Sequence, residues 1–192
     1  NNLFIYDIAS KIISQITTDG KKNAIINGIT DWVYEEEFAF VSAFDWSKDS
    51  KKIAYIRFDE SQVPEFSMSI FGKDLYPKIE TFKYPKAGEK NSEVSLHIYD
   101  VASANTKNID LEKYSDFYIA RMKWTNDSNV LCAQILNRHQ DNLDLLFVDG
   151  TSGTTKVVLN EKDKAYVDVT DNLTFLKDNS FIWTSEKDGF NH

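Results

Sequence analysis

Short runs in which apolar and polar residues alternate dominate the chain. Examples are Ile53–Phe58, Val94–Tyr99 and Leu143–Val148, which are rich in β-branched and aromatic side chains. Such alternation, bounded by clusters of Asp, Asn, Ser, Lys and Gly, is typical of β-strands joined by tight turns. No long amphipathic helical pattern is present. We therefore predict an all-β protein.

Two motifs recur along the chain. One is an aromatic or apolar residue followed by a polar turn and an apolar strand, and the other is a strand that ends in an acidic turn. The spacing is 49 residues from Asp100 to Asp149 and 51 residues from Trp124 to Phe175. A four-stranded propeller blade has about 40–50 residues. We predict a partial β-propeller of antiparallel four-stranded blades, with two complete blades and a partial blade at each end.

One interval is longer than a blade requires. Trp46 and Trp124 are 78 residues apart, and the excess lies in residues 59–91, which hold all three prolines. Prolines disfavour a central strand, so we interpret this segment as a blade insertion, a long loop that is functional or covers a blade. A partial propeller also leaves sheet edges unpaired, which favours pairing with a second copy of the chain. A homodimer is therefore a hypothesis.

Composition and charge exclude several classes of protein. The chain has 22 basic and 30 acidic residues, a net charge of −8, and no run of more than two basic residues, so we expect no nucleic-acid partner. No stretch approaches the roughly 20 apolar residues of a membrane span. The chain begins Asn1-Asn2-Leu3, without Met or a signal sequence, and we expect a trimmed N-terminus. The single cysteine, Cys132, lies in an apolar run and is predicted to be a buried, inert thiol.

Three consecutive glutamates, Glu35, Glu36 and Glu37, interrupt the strand pattern among large aromatic residues. Carboxylates beside apolar groups require compensation by a cation or by hydrogen-bond donors, which would suit capture of an ammonium group. The alternative is a solvated acidic loop, or the first turn of a helix that begins at Thr30 or Asp31. The residues alone leave both interpretations open.

Other candidate chemistry is weak. The serine motif G-x-S-x-G is absent, and Gly150–Thr154, which fails at its last position, is predicted to be a hairpin turn. His97, His139 and His192 lack the spacing of a metal site, so we predict no metal and no cofactor. His97 occupies a strand position taken by apolar residues in the other repeats, which favours a structural role.

Several segments together resemble a known family. They are DWVYEEEF at 31–38, DESQVP at 59–64, YPKAGEKN at 84–91, LNRHQD at 136–141 and SEKDGFNH at 185–192. In this order and spacing they resemble the β-propeller of the dipeptidyl peptidase IV family. The resemblance covers essentially the whole chain.

The resemblance implies a serine exopeptidase that removes N-terminal dipeptides with Pro or Ala as the second residue. Residues 1–192 then form part of an N-terminal propeller, and the C-terminal α/β-hydrolase domain that carries the catalytic triad is not present, so this part alone is expected to be inactive. Glu36 and Glu37 correspond to the paired acids that hold the α-ammonium group of a peptide N-terminus, with Glu35 as a secondary candidate.

The resemblance has further implications. The stretch 166–171 contains no arginine, although animal members carry one in the matching loop. A single cysteine suggests a bacterial relative without propeller disulfides, exported to the periplasm or cell envelope. The alternative to a peptidase is a non-catalytic propeller that serves as a binding scaffold.

Overall fold

The computed structural model describes residues 1–192 and confirms an all-β chain with a single short helix. The elements in chain order are β1 (Phe4–Tyr6), β2 (Ile13–Gln15), β3 (Ile25–Asn27), α1 (Trp32–Glu37), β4 (Phe44–Trp46), β5 (Lys52–Asp59), β6 (Glu65–Ile70), β7 (Lys78–Lys83), β8 (Glu93–Asp100), β9 (Asn105–Asn108), β10 (Phe117–Trp124), β11 (Val130–Asn137), β12 (Asn142–Asp149), β13 (Thr155–Lys162), β14 (Thr174–Phe175) and β15 (Phe181–Ile182).

Two compact units make up the chain. Unit 1 contains residues 1–43 and 57–93, and unit 2 contains residues 44–56 and 94–192. Unit 1 holds the two-stranded sheet β1-β2, strand β3 paired with the end of β5, helix α1 and the hairpin β6-β7. Unit 2 holds the remaining strands.

Two successive antiparallel sheets contain most of the strands of unit 2. The first is a five-stranded sheet with the order β3-β5-β8-β9, in which β4 pairs with the first half of β5 and β3 with its last three residues. The second has four strands, in the order β10-β11-β12-β13. They are the two complete blades that the repeat spacing predicts, and β1-β2 and β14-β15 are the partial blades at the two ends. In β11, residues 131–136 are all buried, because side chains on both faces of this central strand are covered.

The acidic turns of the repeat have one local structure. In each turn the Oδ1 atom of the aspartate accepts a hydrogen bond from the backbone N–H of the serine three residues later. The distances are 2.6 Å for Asp7 and Ser10, 2.8 Å for Asp100 and Ser103, and 2.6 Å for Asp149 and Ser152. These bonds lower the pKa of each aspartate, because they favour the charged carboxylate.

The segment 59–91 is more ordered than the predicted loop. Its centre is the antiparallel hairpin β6-β7, with register from Glu65 opposite Lys83 to Ile70 opposite Lys78. Its prolines lie at strand boundaries, since Pro64 precedes β6 and Pro77 precedes β7. At these positions the missing backbone N–H removes no central ladder bond, so the prolines are compatible with the hairpin.

Candidate functional site

The acidic triplet lies on helix α1, and the interpretation of a helix that begins at Asp31 is confirmed. Asp31 is the N-cap, and its Oδ1 atom accepts a hydrogen bond of 3.0 Å from the backbone N–H of Tyr34. This bond satisfies one of the N–H groups that the first turn leaves without a partner. The helix ends at Glu37, and Ala39 then adopts a left-handed backbone with φ of 56°.

The aromatic neighbours of the triplet hold the helix in the core of unit 1. Tyr34 is 2% exposed, and its ring centroid lies 4.8 Å from that of Phe58, 5.0 Å from Phe38 and 5.8 Å from Phe40. Aromatic pairs at such separations contribute about 0.5–1.5 kcal/mol each beyond the area they bury. Tyr34 therefore fixes the position of the helix in the core of unit 1.

The three glutamates lie in solvent, as the interpretation of a solvated acidic segment at a helix predicts. Glu35, Glu36 and Glu37 are all exposed, whereas Val33 and Tyr34 of the same helix are buried. The carboxylates are thus not packed among the aromatic rings. The rings fasten one side of the helix, and the acidic side chains lie in solvent, where a charged group of another molecule can reach them.

Helix electrostatics disfavour two of these acids. Glu35 belongs to the first turn, where a negative charge complements the helix dipole, but Glu36 and Glu37 belong to the last turn, which contains no basic residue. Acidic charge at a helix C-terminus is unfavourable, by roughly 0.3–1 kcal/mol per charge at an exposed site. A cation bound from outside would offset this repulsion.

Unit 1 contains two buried carboxyl groups, one of which is the N-cap Asp31. The Oδ2 atom of Asp31 accepts a hydrogen bond of 2.6 Å from Oγ of Ser92, and Asp31 and Glu60 are each 7% exposed. Burial raises the pKa of Asp31, although hydrogen bonds from Ser92 and Tyr34 act in the opposite direction. Burial also raises the pKa of Glu60, and the negative charge of Asp31 adds to that effect.

The base of the β6-β7 hairpin packs against α1. The ring of Trp32 lies 4.2 Å from that of Tyr84, which in turn lies 5.5 Å from Phe66 and 6.3 Å from Phe82. The Nζ atom of Lys83 donates a hydrogen bond of 2.9 Å to the carbonyl oxygen of Val63. Tyr84 therefore supports the acidic helix, and the bond from Lys83 to Val63 closes the base of the hairpin next to it.

Residues 84–91 contain a tight turn. The backbone N–H of Lys86 donates to the carboxylate of Glu89 at 2.8 Å, the backbone N–H of Glu89 donates back to the carbonyl of Lys86 at 3.0 Å, and Gly88 has φ of 84°. A positive φ at this position suits glycine, because a side chain would be strained there.

The other candidate residues have structural surroundings. Cys132 is 1% exposed, and burial raises the pKa of its thiol to about 12. The ring of His97 stacks on that of Tyr55 at 5.1 Å, and its Nε2 atom lies 2.8 Å from Oγ of Ser95. Gly150–Thr154 lies in the turn between β12 and β13, where the N–H of Asp149 donates to the carbonyl of Thr154. No helix has the length and apolar character needed to cross a membrane.

One charged contact could not be read from the sequence. The stretch 166–171 has no arginine of its own, but Arg121 of β10 lies against it and donates from Nε to Oδ1 of Asp171 at 2.6 Å. Because the two residues are 50 positions apart, and Asp171 lies in the segment between β13 and β14, only the folded chain reveals the pair. No local motif predicts it.

Successive four-stranded antiparallel blades and an exposed acidic helix place the chain in the class of β-propeller proteins. More narrowly, it belongs to the family of the dipeptidyl peptidase IV N-terminal region, whose family model matches residues 1–192. The resemblance drawn from the motifs is thereby confirmed.

Individual relatives agree with this assignment. The crystal structure of Porphyromonas gingivalis dipeptidyl peptidase 4 is 44% identical, with a TM-score of 0.95 over 100% of this chain and 28% of that chain. A putative dipeptidyl aminopeptidase IV from Bacteroides ovatus shares the fold at 24% identity and a TM-score of 0.82. A probable dipeptidyl-aminopeptidase B from Talaromyces marneffei is 33% identical over 100% of this chain, which spans 24% of that protein.

Proposed function

We propose that this chain is the substrate-recognition part of a longer dipeptidyl peptidase, and that Glu36 and Glu37 bind the protonated amino terminus of a peptide. The observation that carries the proposal is the exposure of two adjacent carboxylates at the end of a helix whose other side is buried. Membership of the family and relatives named as dipeptidyl peptidases support it.

The chemistry of the pair suits a free amino terminus. An α-amino group has a pKa of about 7.7–8.0 and is largely protonated near neutral pH. Hydrogen bonds that involve a charged group contribute roughly 1.5–3 kcal/mol each. Glu36 and Glu37 would therefore position the substrate, so that the bond after its second residue reaches the nucleophile. They would act by orientation and not by proton transfer.

We place the bond-breaking step outside this chain. The relatives are about four times longer, since this chain spans 24% of the Talaromyces marneffei protein and 28% of the Porphyromonas gingivalis one. A C-terminal hydrolase domain with a serine nucleophile would complete the enzyme, and residues 1–192 alone would be inactive. Preference for Pro or Ala as the second substrate residue is part of the same proposal.

A pair of substrates tests the recognition of the amino terminus. The full-length protein is assayed with Gly-Pro-p-nitroanilide and with its N-acetylated form, which lacks the positive charge. We expect cleavage of the free amine only. Equal cleavage of both forms would contradict capture of the ammonium group.

Matched variants test the residues. Glu36→Gln and Glu37→Gln keep the size of each side chain and remove its charge, and each should raise KM for the free-amine substrate. Glu80→Gln is the control, because Glu80 is an exposed glutamate on β7, outside α1. If Glu36→Gln and Glu37→Gln both keep the KM of the wild type, the assignment of Glu36 and Glu37 is wrong.

The tip of the β6-β7 hairpin favours a second function, that of a surface that binds another protein or a second copy of this chain. Phe71, Leu75 and Tyr76 are 82%, 89% and 78% exposed. Large exposed apolar patches mark interaction sites. We propose a homodimer through this hairpin, to be tested by light scattering of the full-length protein and of a triple serine variant at these positions. A monomeric wild type at high concentration would contradict it.

The source and location of the protein are also proposals. The identity of 44% to the Porphyromonas gingivalis structure exceeds the 33% to the Talaromyces marneffei protein, which favours a bacterial source. Export to the cell envelope would place such an enzyme beside external peptides. Fractionation of the source cells with a cytoplasmic marker tests this, and co-fractionation with the marker would contradict export.

A further inference from the structure

Asp31 links two segments that are far apart in the sequence. Its Oδ1 atom accepts from the backbone N–H of Tyr34 at 3.0 Å, and its Oδ2 atom accepts from Oγ of Ser92 at 2.6 Å. We infer that Asp31 is a positioning residue that holds α1 in the orientation which Glu36 and Glu37 need to bind a peptide amino terminus. The inference rests on the function proposed above for these two glutamates.

A helix as short as α1 cannot hold itself in place. It has six residues, and isolated helices shorter than about 12–15 residues are marginal in water. Its geometry must therefore come from contacts at its ends and on its buried side. Tyr34 supplies the buried contact, and Asp31 supplies the one at the start of the helix.

The bond from Ser92 to Asp31 joins the start of the helix to a distant segment, which an ordinary cap does not do. A cap bond to Tyr34 fixes the first turn relative to the preceding residue only. The bond to Ser92 ties that turn to the chain that enters β8, which is 61 residues away in the sequence. Together with the contact between Trp32 and Tyr84, this gives α1 two attachments to the segment that follows the hairpin.

A carboxylate is a costly choice for a simple cap. Ser and Asn cap helices as well as Asp does, and burial of a charged group is unfavourable. Burial indeed raises the pKa of Asp31. A serine cap has one side-chain polar atom, whereas a carboxylate has two and can therefore bond to two segments at once. An asparagine could keep both links, because its amide could donate to the Ser92 hydroxyl, whereas an alanine would lose both.

Loss of the link should act on substrate affinity. When α1 is in the binding orientation only part of the time, the apparent dissociation constant increases in inverse proportion to that fraction. Removal of a cap costs about 0.5–2 kcal/mol, which corresponds to a roughly 2- to 30-fold change in an equilibrium constant. We expect KM to increase by at most this factor, and by less if the wild-type helix is almost always in the binding orientation. We expect kcat to change little, because Asp31 does not touch the reacting atoms.

The test compares four variants of the full-length protein. Asp31→Ala removes both bonds, Ser92→Ala removes only the longer-range one, and Asp31→Asn preserves both. Asp7→Ala is the control, since Asp7 also accepts bonds from a serine but lies in the exposed β1-β2 turn of the same unit. Each variant is measured for KM, kcat and melting temperature with the Gly-Pro substrate.

We expect an increased KM for Asp31→Ala, a smaller increase for Ser92→Ala, and recovery in Asp31→Asn. Asp7→Ala should keep the wild-type KM whatever its melting temperature. If Asp31→Ala does not fold, Ser92→Ala decides. A wild-type KM in Ser92→Ala, or an equal loss in Asp31→Asn and Asp31→Ala, would overturn the inference.

The inference and the proposed function can fail separately. If Glu36→Gln and Glu37→Gln leave KM unchanged, the binding role of the glutamates is wrong, and the role of Asp31 fails with it. If those two variants increase KM while Asp31→Ala and Ser92→Ala do not, only the positioning role of Asp31 is wrong.

Discussion

Asp45 accepts two hydrogen bonds from Trp124, a residue 79 positions later in the sequence. The backbone N–H of Trp124 donates to Oδ2 of Asp45, and the indole Nε1–H donates to its carbonyl oxygen, each at 3.1 Å. Asp45 lies in β4 of the first complete blade and Trp124 ends β10 of the second, so the pair joins two repeats through the motif that defines them. Trp124 is 1% exposed.

Loss of this contact should lower the free energy of unfolding. Trp124→Phe removes the indole donor and leaves the backbone carbonyl of Asp45 without this hydrogen bond, which should lower the free energy of unfolding by about 1–3 kcal/mol. Trp124→Ala also leaves a cavity and should lower it by about 3–5 kcal/mol. Urea unfolding followed by fluorescence and circular dichroism measures both. Trp46→Phe is the control, because Trp46 is 38% exposed and its replacement should cost much less. Equal losses in the Trp46 and Trp124 variants would contradict the prediction.

The ionised carboxylate of Glu60 should make the protein less stable at neutral pH than a variant with an uncharged glutamine at this position. Its pKa is raised above the ordinary value of 4.5. At a pH between the ordinary and the raised value, the folded state therefore binds more protons than the unfolded state. Stability from this group is therefore greatest at acidic pH and falls as the pH rises through the raised pKa.

We accordingly expect Glu60→Gln to raise the melting temperature at pH 7 and to have little effect at about pH 4. Glu80→Gln is the control, since Glu80 is exposed on β7. A stabilisation of the same size at both pH values would show that the effect does not come from ionisation.

The pair formed by Arg121 and Asp171 should be visible in the titration of the aspartate. The guanidinium of Arg121 lowers the pKa of Asp171 below its ordinary value of 3.8. Nuclear magnetic resonance of the carboxyl carbon should detect this, and Arg121→Gln should return the pKa towards 3.8. The pair should contribute no more than about 1 kcal/mol to stability, because its partners are partly exposed. An unchanged titration in the variant would refute the pairing in solution.

Cys132 should be inert in the folded protein. Burial raises the pKa of its thiol to about 12, so almost no thiolate forms at neutral pH. A coloured disulfide reagent should therefore react only after urea unfolds the protein. The reaction rate should follow the rate of unfolding and not the reagent concentration. Rapid modification of Cys132 with the fold intact would contradict its burial.

The features that sequence could predict have short-range causes. The acidic turns at Asp7, Asp100 and Asp149 follow from an aspartate and a serine three residues apart, and such spacing recurs visibly. The period of about 50 residues predicts the four-stranded blades. The sequence predicts Asp31 as one of two possible helix starts. This is a short-range feature too, since the bond that Asp31 accepts from Tyr34 spans three residues.

The long-range features could not be predicted in this way. Nothing in residues 166–171 indicates that Arg121 lies against them. The sequence leaves open whether the carboxylates of the triplet face solvent, and it does not indicate that Tyr34 contacts Phe58. The sequence predicts a loop where the structure has the ordered β6-β7 hairpin, because prolines disfavour central strands. Pro64 and Pro77 lie just before the two strands, where they do not prevent the hairpin.

The strand content, the repeat and the local turns can be predicted from the sequence alone, because alternation of apolar residues, motif spacing and turn residues are properties of the order of side chains along the chain. Tertiary structure decided which side of α1 is buried and which residue Asp31 reaches. That outcome depends on strand register and on packing between segments as distant as Asp31 and Ser92, which no local pattern encodes. The acids are therefore legible in the sequence, and their exposure is a property of the fold.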